Sequence, residues 1–134
     1  MPRIFPTVAE AIETHRLAIQ EYGGLDGIRD KGLLESAVLC PRTGYYQDIF
    51  EQAAALTESL AQNQAFVDGN KRVAFLLTDA MLRANGYFLD VEPLKAHAFL
   101  DGSASQKEGR FNRTVEWIKS SVQRLEDEHP TGGN

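Results

Sequence analysis

The sequence predicts an all-α fold, a single compact bundle of about six helices with a short extended flap before the helix that leads into its most polar loop. Three observations predict it. Apolar residues recur at three- and four-residue spacings in most segments between turn signals. The stretch Asn70–Asn85 is apolar over most of its circumference, as the central helix of a bundle must be. No two long runs alternate with the period of two that paired strands need. With 134 residues and no internal repeat or interdomain linker, the chain is one ordinary domain. We assign that domain to residues 1–126 and read 127–134, rich in Pro and Gly, as a disordered tail.

Thr7 followed three residues later by Glu10 forms a capping box. Val8, Ile12, His15, Ile19 and Tyr22 then mark a first amphipathic helix that stops at Gly23-Gly24, residues suited to a left-handed cap. His15 lies on its apolar stripe, where a hydrogen-bonded core histidine is the default over a catalytic one. Asp30 caps a second helix through Leu33, Leu34, Ala37 and Val38, and Pro41 ends it. Cys40, the single cysteine, lies in this apolar segment and reads as a structural thiol; it has no internal disulfide partner, which fits a reducing compartment. Pro41–Asp48 is the flap. Neighbours in an extended segment face opposite ways, so Tyr45 and Tyr46 cannot both be buried there; one is either a partner contact or a seal over the core.

Ile49–Asn63 is helical again, and its many alanines imply close packing on a neighbour. The loop Gln64–Gly69 and the helix Asn70–Asn85 follow, closed by Asn85-Gly86. Tyr87–Val91 reads as an extended link, Pro93 as the first turn of a fifth helix to about Leu100, and Asp101–Arg110 as a polar loop. Val115, Ile118, Val122 and Leu125 mark a last amphipathic helix, with Trp117 half exposed.

Composition narrows the functions. Hydrophobic residues at 43% and charged residues at 25% match soluble globular proteins, excluding global disorder. A net charge of −5 argues against direct nucleic-acid binding, which needs a broad basic footprint. The N-terminus turns acidic before an apolar core of signal-peptide length develops, and the longest apolar run, Val73–Leu77, is too short to span a bilayer. A cytoplasmic protein with no membrane contact is expected.

The chemistry concentrates in Asp68-Gly69-Asn70-Lys71-Arg72. Asp-Gly is an ordinary turn and Asn an ordinary N-cap, so alone they signal only a folded helix start. Lys71 and Arg72 add something, because cations at the positive end of a helix dipole cost a few tenths of a kcal/mol each unless an anion sits there. Free backbone N–H groups, the dipole and both cations would converge on one phosphate-sized volume. Arg72 offers a planar fork for two phosphate oxygens, and Asp68 is a candidate ligand for a divalent cation bridging to phosphate. A plain capped helix and a phosphate site both remain open on these grounds.

The nine residues Gln64–Arg72, QAFVDGNKR, resemble the signature His-x-Phe-x-(Asp/Glu)-Gly-Asn-x-Arg of the Fic/Doc family. Every fixed position agrees except the first. Glu21-Tyr22-Gly23-Gly24-Leu25 and the close at Asn85-Gly86-Tyr87 are similar to the death-on-curing, or Doc-like, branch of toxins, and the similarity spans about Ala9 to Tyr87. The resemblance implies nucleotide-phosphate binding at Asp68, Gly69, Asn70, Lys71 and Arg72. It implies ATP or another NTP as donor, Mg²⁺ on Asp68, and Phe66 as the anchor of the loop. Lys71 stands where AMP-transferring relatives usually carry Gly. That favours phosphate transfer to a target protein, translation elongation factor Tu in the Doc-like case, with AMP transfer as the alternative. The flap position implies target docking by Tyr45 or Tyr46. No inhibitory helix of the within-chain kind is legible, which implies a separate antitoxin covering the site.

Gln64 is the departure: the family has its catalytic histidine there. An amide cannot accept the proton of an attacking hydroxyl at neutral pH, and loss of a general base removes roughly 10²- to 10⁴-fold in rate. Either an engineered replacement or a natural binding-only relative would carry this residue. The intact set Phe66, Asp68, Gly69, Asn70, Lys71 and Arg72 favours the former.

Overall fold

The Thr7 hydroxyl accepts from the Glu10 N–H at 3.1 Å while the Glu10 carboxylate accepts from the Thr7 N–H at 2.8 Å, so the capping box starts helix α1 (Val8–Tyr22) as its sequence requires. The structure, a computed structural model, describes residues 2–125. The C-terminal tail expected at 127–134 lies outside the described residues. Gly23 ends α1 with φ 87° and ψ 176°, a positive-φ conformation beyond the left-handed helical region that only glycine adopts readily. Asp30 caps α2 (Lys31–Leu39) through the Leu33 N–H at 3.0 Å. Pro41 lies in a 3-10 turn, Cys40–Arg42, and the flap beyond it is neither helix nor strand. Asp48 caps α3 (Ile49–Asn63), and α4 (Asn70–Ala84) follows the polar loop.

Helices α3 and α4 form the centre, with α4 also touching α1, α5 and β1. Ala53, Ala54 and Ala61 let the two backbones approach, and Leu56, Leu60, Val73, Leu77 and Met81 fill the interface. Each such large side chain, removed fully from water, contributes roughly 1.5–3 kcal/mol. This pairing fixes both ends of the loop between them. Thr57 and Thr78 meet inside it at 2.7 Å: the Thr57 hydroxyl donates to the Ala53 carbonyl at 2.8 Å and accepts from the Thr78 hydroxyl, so both are satisfied in a buried setting.

Two expectations fail toward the C-terminus. The fifth helix, α5 (Pro93–Ala104), runs beyond Leu100, because Ala96, Leu100 and Ser103 share one buried face at helical spacing. The last helix, α6 (Arg110–Ser121), stops before Val122. Val122–Arg124 instead forms β2, antiparallel to β1 (Tyr87–Leu89), with Leu89 opposite Val122 and Tyr87 opposite Arg124. Backbone bonds from Asp90 N–H to Ser121 (2.8 Å) and from Leu125 N–H to Gly86 (3.0 Å) extend the ladder. The exposed backbone of the link after α4 thus finds its partner far along the chain. Trp117 is half-buried as expected, stacked on Phe99 at 4.5 Å.

Candidate phosphate-binding site

Gln64 caps the C-terminus of α3 in the left-handed conformation (φ 53°, ψ 48°), the one non-glycine residue with positive φ among the described residues. Neighbouring chain holds it there. The Arg29 guanidinium donates to the carbonyls of Gln64 (2.7 Å) and Asn63 (3.2 Å), placing a cation at the negative end of the α3 dipole. The Ala65 carbonyl accepts from the N–H groups of Arg29 and Asp30, Val67 N–H donates to Gly27, and Ile28 bridges Phe66. Phe66 is buried, as an anchor must be. Gln64 itself is exposed.

Asn70 opens α4 as its first helical residue, and the N-cap is Gly69, left-handed at φ 77°. The Asn70 side chain therefore points back, accepting from Phe66 N–H and donating to the Phe66 carbonyl, both at 3.0 Å. It serves the loop, and only its backbone is left for an anion. No side chain caps the start of α4, so the first N–H groups, from Asn70, Lys71 and Arg72, have no intrahelical acceptor. The Asp68 carboxylate accepts from Gly69 N–H (2.9 Å) and Leu25 N–H (3.2 Å) and is exposed. Each of its oxygens keeps a lone pair. No cluster of three His, Cys, Asp or Glu side chains occurs among the described residues. This donor set fits a Mg²⁺ shared between one carboxylate, phosphates and water better than an all-protein cage.

Lys71 and Arg72 are both engaged. The Lys71 ammonium lies 3.2 Å from Asp101 of α5, whose other oxygen is 3.5 Å from His97. The Arg72 guanidinium lies over the Tyr22 ring, 3.9 Å from its centroid. These contacts offset the unfavourable placement of two cations at a helix start and leave guanidinium N–H edges free. One cleft of about 360 Å³ is lined by Gln64, Asp68, Gly69, Asn70, Lys71 and Arg72, with Tyr22 and His97 at its sides. Its uncapped N–H groups and cations can hold an anion.

The family model described as the Fic/DOC family matches residues 5–82, more than half of the chain. The chain belongs to the Fic/DOC family. Over 70 residues it is 46% identical to Toxin Doc of Mycolicibacterium smegmatis, covering 48% of this chain and 54% of that protein. Over 81 residues it is 36% identical to Protein kinase doc of Escherichia phage P1, covering 58% and 64%. The chain thus spans less than two thirds of the curated relatives it matches, and the match supports the Doc-like branch of the Fic/DOC family.

Within this Fic/DOC chain the two flap tyrosines separate. Tyr45 is 80% exposed, whereas Tyr46 is half-buried against Phe111 and reaches Cys40 Sγ with its hydroxyl at 3.9 Å. Burial, and secondarily the Cys40 contact, pushes the Tyr46 phenol above its ordinary pKa. Both tyrosines line a second cleft with Glu51, Glu58 and Phe111 that shares no residue with the phosphate cleft. Tyr46 thus packs inward over the core, while Tyr45 stays exposed with its ring edge-on to Tyr46 at 5.1 Å. His15 is buried, as its stripe position predicts, and touches the Asp68 carbonyl. Tyr22, on the stripe of the first helix, also reaches the site, as do Arg29, Asp101 and His97, which no local pattern singles out and which arrive through tertiary packing. No helix among the described residues is long and apolar enough to cross a membrane.

Proposed function

We propose that this chain is a Doc-like toxin, a nucleotide-dependent phosphotransferase acting on a hydroxyl of a target protein and attenuated by Gln64. The observation that carries the reading is the uncapped start of α4, which gathers three N–H groups, Lys71, Arg72 and the Asp68 carboxylate beside residue 64 in one cleft. The relatives named as a toxin and as a protein kinase support it.

The donor is ATP or another NTP. The N–H groups of Asn70, Lys71 and Arg72 and the Arg72 fork bind its phosphates, and Lys71 draws charge off the terminal one. Asp68 would hold Mg²⁺, which when bound neutralises phosphate charge. The target hydroxyl oxygen bonds to the terminal phosphorus as the bond to the diphosphate breaks, and its proton passes to solvent water. The Gln64 amide hydrogen-bonds that hydroxyl without accepting the proton, which limits turnover. Tyr45 docks the target, for which translation elongation factor Tu is the expected protein, and a separate antitoxin covers the site.

Gln64→His tests this. With γ-labelled ATP and translation factors it should raise transfer roughly 10²- to 10⁴-fold, and its expression should arrest growth. Nucleotide binding without transfer or growth defect would leave a binding-only relative, a reading that Gln64 itself favours. Label retained from α-labelled ATP would instead establish AMP transfer.

A further inference from the structure

His15 makes three contacts that no local pattern requires together. Its Nε2 lies 2.8 Å from the Asp68 carbonyl oxygen, its ring stacks on Phe66 at 3.9 Å and 5°, and its Nδ1 lies 3.5 Å from Asp26. The side chain is 2% exposed. A carbonyl can only accept, so Nε2 carries the hydrogen. The ring also lies beneath the turn, because a Cβ built on Gly69 would sit 3.7 Å from His15 Cδ2 and Nε2. His15 therefore grips the loop at both ends, by its face at Phe66 and by its edge at Asp68.

The consequence follows from peptide geometry. In a trans peptide the carbonyl and the N–H point in opposite directions. With the Asp68 carbonyl tied inward to His15, the Gly69 N–H must point outward, where it meets Asp68 Oδ1 at 2.9 Å on the side of the cleft. Gly69 is the residue of this turn most able to tolerate the opposite arrangement. A flip of the Asp68–Gly69 peptide would break the Gly69 N–H bond to Asp68 Oδ1, releasing the carboxylate, and turn a carbonyl dipole toward the phosphates.

We propose that His15 is the positioning residue that fixes the orientation of the Asp68–Gly69 peptide, and with it the polarity of the phosphate site. This rests on the nucleotide reading above. Asp26, more than half exposed, lies 3.5 Å from Nδ1 on the other edge of the ring.

Binding of MgATP and of metal-free inorganic triphosphate to the full chain tests the proposal by comparing wild type, His15→Gln and His15→Phe. Glutamine places an amide N–H near the position of Nε2, whereas phenylalanine keeps the stack and loses the donor. His15→Phe should bind both ligands about tenfold more weakly, equivalent to about 1.4 kcal/mol, with a shifted Gly69 amide resonance. His15→Gln should retain affinity and resonance. If His15→Phe does not fold, His15→Met supplies a flexible donor-free replacement. Wild-type affinity in a folded donor-free variant would overturn the proposal, as would equal losses in His15→Gln and His15→Phe that track thermal stability. Absence of binding by wild type would overturn the nucleotide reading itself; binding by wild type with an indifferent His15→Phe would overturn only the role of His15.

Discussion

The Asn70 side chain closes on both backbone polar groups of one residue, accepting from the Phe66 N–H and donating to the Phe66 carbonyl at 3.0 Å each. A side chain at the helix start thereby substitutes for a strand partner along the loop. Asn70→Ala would strand both groups in a partly buried setting and destabilise the fold by about 1–3 kcal/mol, measurable by urea unfolding. Asn70→Asp keeps the acceptor and sets a carboxylate oxygen against the Phe66 carbonyl, so it should recover little of that loss. Full recovery by Asn70→Asp would show that only the Phe66 N–H matters.

Asp101 occupies Lys71 in the structure at hand, and a terminal phosphate would compete for the same ammonium. Both side chains are partly exposed, so the pair is worth little by itself. Asp101→Asn should therefore tighten triphosphate binding by about two- to fivefold, and Lys71→Met should abolish that gain. Calorimetric titration of the two single variants and the double variant separates competition from a positioning role, in which Asp101→Asn would weaken binding.

Gly24 has φ 117°, and a Cβ added there would come within 2.9 Å of Asp68 Oδ2. Gly24→Ala meets both backbone strain and a carboxylate held by the adjacent Leu25 N–H. A loss of about 1–3 kcal/mol is expected, with weaker Mg²⁺ dependence of nucleotide binding. Unchanged Mg²⁺ dependence would remove Asp68 as the metal ligand.

Tyr46 gives a pH prediction. Its folded pKa lies above the ordinary value of about 10 because burial disfavours the phenolate, with Cys40 contributing next. A raised folded value means that the associated stability is present below the unfolded pKa and disappears as pH rises through the folded one. Tyr46→Phe should flatten the alkaline loss of stability above about pH 10 and remove a late step from the absorbance titration of the tyrosines. An unchanged titration would contradict the buried setting of the phenol.

Local signals account for most of what the sequence disclosed. The Thr7–Glu10 box, the Asp30 cap and the turn at Gly69 act within four residues, so they are legible without a neighbour. The phosphate cluster is legible for the same reason, since Asp68 to Arg72 are consecutive. Val122 shows the limit: its spacing from Ile118 fits a helix, yet pairing with Leu89 across the chain prevails. Asn70 shows another, because a residue suited to capping finds a better pair of partners at Phe66 and leaves the cap to Gly69. Asp101, Arg29 and His15 reach the site across 30 or more positions in sequence, where periodicity carries no information.

The buried Thr57–Thr78 contact has a mechanical meaning. Thr57 precedes the loop by about 10 Å of helix and Thr78 follows it by about 12 Å, at 1.5 Å per residue. The pair acts as an index pin between two antiparallel rods. A slip of one helical turn would displace one rod by about 5.4 Å, enough to carry residue 64 past the phosphate cradle, and it would part the Thr78 hydroxyl from its Thr57 partner. Alignment of the cleft is thus set deep in the bundle, well away from any atom that touches a ligand.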